Sequence, residues 1–181
     1  MNIIVAVDEH FGIGNLGKIQ WKIKEDMDFF RRSTLNKTVI MGRKTLDSFK
    51  CGKPLKNRHN IVLTRDKCFK RENVTVVHSV KQALEKISDI DTGDVYIIGG
   101  QSIYEAFLPY CDKAFVTKVH GVFDADTYFP DLDKSDEWKL IHQSDRQITQ
   151  SGIHITFCEY ERVRHEKKKK KIHTDKQNLS H

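Results

Sequence analysis

Two short apolar runs, TVIM at 38–41 and DVYII at 94–98, each break at glycine and continue into residues with helical spacing. A strand that is apolar at consecutive positions is covered on both faces, and a helix placed between two such strands forces a right-handed crossover between parallel neighbours. The pattern recurs along the chain. Strands are predicted at 2–8, 38–42, 59–64, 73–77, 94–98, 113–119, 138–143 and 153–161, with helices at 24–34, 44–49, 79–87 and 101–108. The last two strands alternate in polarity and have no helix between them, so they pair as an antiparallel hairpin at one side. The expected fold is a single-domain mixed α/β structure: a mostly parallel, eight-stranded twisted sheet flanked by about four helices. The pattern leaves the strand order open.

The two glycine turns also carry chemistry. Gly42-Arg43-Lys44-Thr45 follows the 38–42 strand where a helix can begin, so backbone N–H groups and two cations meet at one turn. Gly99-Gly100 follows the 94–98 strand and precedes QSIYEAFL at 101–108, in which Ile103 and Phe107, like Tyr104 and Leu108, are helical pairs. Glycine there lets a ligand approach the backbone and leaves the helix start open to phosphate. Two such turns suit a dinucleotide, although neither matches the GxGxxG fingerprint of the doubly wound fold.

Residues 21–30 (WKIKEDMDFF) add an acid. Met27, Phe30 and Thr34 share one helical stripe, and Asp26 points roughly the same way. A carboxylate drawn out of water finds a donor, binds a ligand or titrates upward. Two readings stay open on this stretch alone: a functional acid, or a solvated first-turn residue beside the positive end of the helix dipole.

The chain has 181 residues and no Pro-, Gly- or Ser-rich linker, enough for one domain with a substantial core. Its net charge of +6 is concentrated at the end, where residues 161–181 carry eight Lys or Arg against three acids. The high isoelectric point therefore belongs to the tail and does not mark the domain as a nucleic-acid binder. Cys51, Cys68, Cys111 and Cys158 are scattered without CxxC spacing, and the nine histidines form no ligand pair, so free thiols and no metal are expected. No stretch approaches a membrane span and no signal peptide opens the chain; a cytoplasmic protein is expected.

Several motifs in one order resemble dihydrofolate reductase: IIVAV at 3–7, GIGNLGKIQW at 12–21, the acid at 26, TLNKTVIMGRKT at 34–45, RHNIVLTR at 58–65, VYIIGGQSIYEAFLP at 95–109 and DADTYFP at 124–130. The likeness runs from near the first residue to about Arg162, so residues 1–162 read as the domain and 163–181 as a basic, solvated, disordered tail. It implies a bacterial-type, monofunctional, monomeric enzyme that reduces 7,8-dihydrofolate with NADPH, moving hydride to C6 while N5 gains a proton. It also implies inhibition by antifolates such as trimethoprim or methotrexate.

By the same resemblance, Asp26 bonds the pterin 2-amino group and N3, Thr117 braces it and Trp21 helps hold an ordered water. Ile4, Val5, Ala6, Met27, Phe30, Phe49, Leu55, Ile98 and Tyr104 line the substrate pocket, and Arg58 pairs with the substrate's glutamate carboxylate. Arg43, Thr64 and Arg65, next to Leu63, face the 2′-phosphate. Gly42, Lys44, Thr45, Gly99, Gly100, Gln101, Ser102 and Ile103 hold the pyrophosphate, while Ala6, Ile13, Gly14, Asn15 and Tyr104 complete the cofactor contacts. The Gly99–Gly100 peptide is cis in this family.

The run with Gly12, Gly14 and Gly17 resembles the family's lid, with Asp126 as its contact. Two features depart from the pattern: Gln20 precedes Trp21 where most relatives have proline, and Cys51-Gly52 lengthens the loop before Lys53-Pro54-Leu55. Two other readings remain, a riboflavin-pathway reductase acting on a ribosylaminopyrimidine, and a nucleotide- or RNA-binding module that uses its basic tail. The set of Asp26, Trp21 and Arg58 speaks against the first, and Asp26→Asn would leave the second unaffected. Deleting residues 165–181 is expected to leave turnover intact, as measured by NADPH oxidation.

Overall fold

The computed structural model describes residues 1–163, so the tail expected from 163 onward lies, past its first residue, outside the described residues. In chain order the elements are β1 (Asn2–Val7), β2 (Gly12–Gly14), α1 (Lys24–Thr34), β3 (Thr38–Gly42), α2 (Arg43–Ser48), β4 (His59–Leu63), β5 (Thr75–Val77), α3 (Val80–Lys86), β6 (Val95–Ile97), α4 (Gln101–Phe107), β7 (Lys113–His120), β8 (Thr127–Tyr128), β9 (Trp138–Gln143), β10 (Gln147–Ile148) and β11 (His154–Arg162).

The main sheet runs β10-β11-β7-β1-β6-β3-β4-β5, and β9 also pairs with β11. From β7 to β5 every pairing is parallel, while β11 runs antiparallel to β7, β9 and β10. The expected C-terminal hairpin is therefore present as β9 and β11. The sheet has nine strands where eight are predicted from sequence, because β10 adds two exposed residues that carry no apolar alternation. A separate ribbon of β2 and β8 is likewise absent from the sequence pattern, since two- and three-residue strands give no periodic signal.

Alternation along β1 builds both sides of the core. Ile3, Val5 and Val7 enter a cluster with Ile103 and Phe107 of α4, Trp138 and Tyr160. Ile4 enters the opposite cluster with Val39, Met41 and Leu46, against which Phe29, Phe30, Phe49 and Leu55 pack. Helices α1 and α2 thus cover one face of the sheet, and α4 covers the other. Phe29 anchors α1 through ring contacts with Phe115 at 6.3 Å and Phe157 at 4.9 Å.

Parallel pairing brings the C-terminal ends of β1, β3 and β6 side by side, the edge at which open α/β sheets take ligands. Phe107 is fully buried on the α4 side, away from that edge. Phe107→Ala should lower stability by about 3–5 kcal/mol through lost burial and the cavity left behind. Denaturant unfolding checks this, and turnover by the folded fraction should be retained.

Candidate active site

The acid sits at the first turn of α1, where no side-chain cap precedes the helix and Glu25 and Asp26 are the acidic residues. Ile23, almost fully buried beside Val119 and Ile155, fixes where the helix begins. Asp26 is half-buried, and a side-chain hydrogen bond joins it to Thr117 of β7. Thr117 is buried and in register with Ala6 of β1 and Phe157 of β11. Burial pushes the Asp26 carboxyl above its ordinary value, and the Thr117 bond opposes that shift without cancelling it. Of the stripe predicted with Asp26, Thr34 is buried and Phe30 half-buried, whereas Met27 is 56% exposed at the cleft rim. The residue that carries α1 onto the sheet is Phe29, three positions after Asp26, a spacing that was readable in the sequence.

Trp21 stands beside this acid in the chain. Its ring meets Phe123 edge-on at 5.2 Å, and its buried Nε1 has no protein acceptor among the described residues. A buried donor in that state suits an ordered water or a ligand atom. Tyr104, 5% exposed, donates from its hydroxyl to the Ile4 carbonyl at 2.9 Å. Burial, reinforced by the charge of Asp26, raises the Tyr104 pKa, so the hydroxyl remains a donor. Because the Ile4 carbonyl already accepts from Tyr104, a ligand donor at that carbonyl would use the oxygen's second lone pair.

The two glycine turns lie against each other. Gly42 N–H donates to the Gly99 carbonyl at 2.8 Å, and the Gly99–Gly100 peptide is cis. Gly99 has φ +103°, and a Cβ there would lie 2.8 Å from the Tyr104 ring, so neither conformation nor space admits a side chain. Ile103 and Tyr104 N–H groups bond back to the Gly100 carbonyl, leaving those of Gln101 and Ser102 without a partner among the described residues at the start of α4. At the other turn α2 begins directly at Arg43, with Lys44 exposed and Thr45 half-buried. Arg43 lies 3.8 Å from Asp66, both groups being nearly half exposed. Thr64 is buried and Arg65 exposed at the end of β4, and the Thr64 carbonyl contacts His78 Nδ1 at 2.8 Å. These donors and cations, with bare glycine backbone between them, fit a dinucleotide carrying a 2′-phosphate. Asp66 has no counterpart in the expectation and opposes part of the Arg43 charge.

Ile98 lies against Met41 and Ile4, and Phe49 and Leu55 pack on the same cluster. Val5 differs: its side chain turns to the opposite cluster, leaving its backbone toward the pocket. Arg58 donates to the Lys56 carbonyl at 2.7 Å, the Arg31 carbonyl at 3.1 Å and Thr34 Oγ1 at 3.2 Å. Its guanidinium thereby caps the end of α1, and a bidentate carboxylate partner would displace one of these bonds. Burial, then the nearby Arg31, lowers its pKa from the usual guanidinium value.

In the segment expected to be the lid, Gly12 and Gly14 lie in β2, and the positive φ values fall at Leu16 (+50°) and Gly17 (+76°), inside a turn closed by Asn15 and Lys18. Ile13 is half-buried against the α4-side cluster, and Gln20 is exposed. Asp126 accepts from the Leu16 N–H at 2.8 Å, and its own N–H donates to the Gly14 carbonyl at 3.0 Å. The root is held by Asp8, which sequence reasoning passed over. This carboxylate is 3% exposed and accepts from the N–H groups of His10, Gly12 and Phe123. No local pattern announces a bond spanning 115 positions.

Residues 1–162 match the family model for dihydrofolate reductase. A dihydrofolate reductase of Staphylococcus haemolyticus is 36% identical over 165 residues, covering 91% of this chain and 96% of the relative. That of Buchnera aphidicola subsp. Baizongia pistaciae is 36% identical over 160 residues, covering 87% and 94%. Among solved structures, dihydrofolate reductase from Enterococcus faecalis complexed with NADP(H) and RAB-propyl superimposes with a TM-score of 0.77 at 31% identity, covering 89% of this chain and 95% of that one. With the acid on α1 and the two facing glycine turns, these matches make the chain a member of the dihydrofolate reductase family.

Proposed function

We propose that the cleft at the C-terminal ends of β1, β3 and β6 carries out the family's reaction with Asp26 as its acid. The chain is an NADPH-dependent oxidoreductase that reduces 7,8-dihydrofolate to 5,6,7,8-tetrahydrofolate. The observation that carries the site assignment is the half-buried carboxyl of Asp26, bonded to Thr117 and shifted upward by burial. NADPH, when bound, supplies the hydride that reaches substrate C6.

Asp26 binds the 2-amino group and N3 of the pterin and so orients the ring, while Thr117 fixes the carboxyl's direction. The carboxyl polarises the ring without touching N5; the proton arrives through water, for which the unpartnered Trp21 Nε1 is a holding point. Ile4, Ala6, Phe30 and Ile98 exclude bulk water from the ring, and Phe49 and Leu55 flank the aminobenzoyl group. Arg58 exchanges a helix-end carbonyl for the substrate's carboxylate. Arg43, Thr64 and Arg65 hold the 2′-phosphate, and the open donors around Gly100 and Thr45 hold the pyrophosphate. Asp126 holds the lid through the Leu16 N–H.

Antifolates of the trimethoprim or methotrexate kind bind the same acid, the protein works as a monomer, and it resides in the cytoplasm. No helix among the described residues is long and apolar enough to cross a membrane. Residues 1–162 form the catalytic domain.

Three outcomes test this reading. Asp26→Asn should cut the rate of NADPH oxidation with dihydrofolate at neutral pH by about 100-fold or more, the scale of a lost acid–base group. The same variant should also alter stability in a defined direction. A raised folded-state pKa means that ionising Asp26 costs the folded protein stability as pH rises above 3.8, and asparagine has nothing to ionise. Relative to wild type the variant should therefore gain stability from acid to neutral pH, as read by unfolding at a series of pH values. Arg43→Ala should raise KM for NADPH about tenfold or more, the scale of a hydrogen bond to a charged group, with little change for NADH. Equal effects on both cofactors would remove the 2′-phosphate assignment.

A further inference from the structure

The Cys51-Gly52 insertion forms a turn in which two successive residues are left-handed, Cys51 at φ +57° and Gly52 at φ +59°. Such a pair is unfavourable for a cysteine and needs support from outside. Beyond it the chain is pinned: Asn60, 2% exposed, receives the Leu55 N–H on its Oδ1 at 3.0 Å and donates to the Leu55 carbonyl at 2.9 Å. Before it, α2 holds Phe49. Between these anchors, the hydrogen bond that reaches residues 50–53 from elsewhere among the described residues comes from Arg71, whose Nη1 donates to the Gly52 carbonyl at 2.6 Å.

Arg71 holds the turn from the β4–β5 connection. Its Nη2 meets Asp47 Oδ1 of α2 at 3.2 Å, and its guanidinium carbon stands 5.5 Å from the centroid of the Phe69 ring. Phe69 packs on the cluster that also receives Phe49 and Leu55. Near its start the same β4–β5 connection carries Arg65 and Asp66, and Asp66 lies 3.8 Å from Arg43. One side chain therefore joins the loop beside the proposed 2′-phosphate site to the loop beside the proposed aminobenzoyl site. A Cβ at position 52 would lie 2.9 Å from Arg71 Nη1, so Gly52 also leaves the room this contact uses.

We propose that Arg71 is a positioning residue that sets the 49–55 wall for the aminobenzoylglutamate tail of the substrate and so contributes to specificity for tailed over tail-less pterins. This rests on the dihydrofolate reading above. Arg71 reaches neither Asp26 nor the pterin end, so its effect is confined to the tail.

The test compares the full chain with Arg71→Ala and Arg71→Lys on two substrates, dihydrofolate and a 7,8-dihydropterin bearing only a methyl group at C6. Arg71→Ala should raise KM for dihydrofolate roughly five- to tenfold, as expected for a lost charge-assisted hydrogen bond at a half-exposed site, with kcat held within about twofold. KM for the methyl-dihydropterin should stay at the wild-type value. Lysine keeps the charge near Asp47 but cannot span both partners, so Arg71→Lys should fall between the two. A rise in KM of equal size for both substrates, a loss confined to kcat, or no change with either would overturn the proposal. Failure of the wild-type chain to reduce dihydrofolate at all would instead overturn the proposed function, and the Arg71 assignment with it.

Discussion

Parallel pairing of β1, β6 and β3 is the constraint on which the remainder of this structure depends. It sets Ile3 against Ile97 and Ile97 against Ile40, and so brings the chain out of β3 and β6 at neighbouring points on one edge. Gly42 and Gly99 then meet through a backbone hydrogen bond, which neither turn could form alone. On the other flank, the pairing of β1 with β7 places Thr117 beside Ala6, and the Thr117 hydroxyl reaches the acid on α1. The two facing glycine turns and the proposed acid site therefore share one origin in strand register. A slip of one residue in either pairing would turn Thr117 or Ile4 to the opposite face.

Buried polar groups do much of the positioning. Asp8 gathers three backbone donors at the root of the lid, Asn60 clamps Leu55, and the Thr34 hydroxyl receives Arg58 while donating to the Phe30 carbonyl. Each is satisfied by hydrogen bonds, which offsets the cost of removing it from water. Asp26 differs from them. It is only partly compensated, by one hydroxyl, and its carboxyl is correspondingly shifted toward protonation. The contrast between a well-satisfied Asp8 and a partly compensated Asp26 is the one expected between a structural acid and the acid proposed for the reaction.

Much of this was legible in the sequence because it is local and periodic. Apolar runs ending in glycine located β3 and β6, and the spacing from Asp26 through Phe30 located α1 to the residue, Lys24–Thr34. The resemblance to the family supplied the cis peptide at Gly99, whereas the strand order that the pattern leaves open is read from the fold alone. What stayed hidden is long-range or too short to be periodic. Gly12 pairs with Tyr128 and Gly14 with Thr127 in a ribbon of too few residues to alternate. Asp8 and Arg71 are ordinary polar residues until folding brings their partners across 115 and 19 positions. The Arg58 contacts with α1 and the Asp66 contact with Arg43 belong to the same class, and both modify the binding roles expected from the motifs.

Burial, opposed by the Thr117 hydroxyl, holds the carboxyl of the proposed acid Asp26 above its ordinary value. Carbon-13 labelling of the aspartate carboxyls and titration by NMR, with Asp26→Asn assigning the resonance, tests it directly. The Asp26 carboxyl should titrate clearly above the ordinary value of 3.8, and Thr117→Val should move it further upward. Titration at or below that value in the wild-type protein would contradict it.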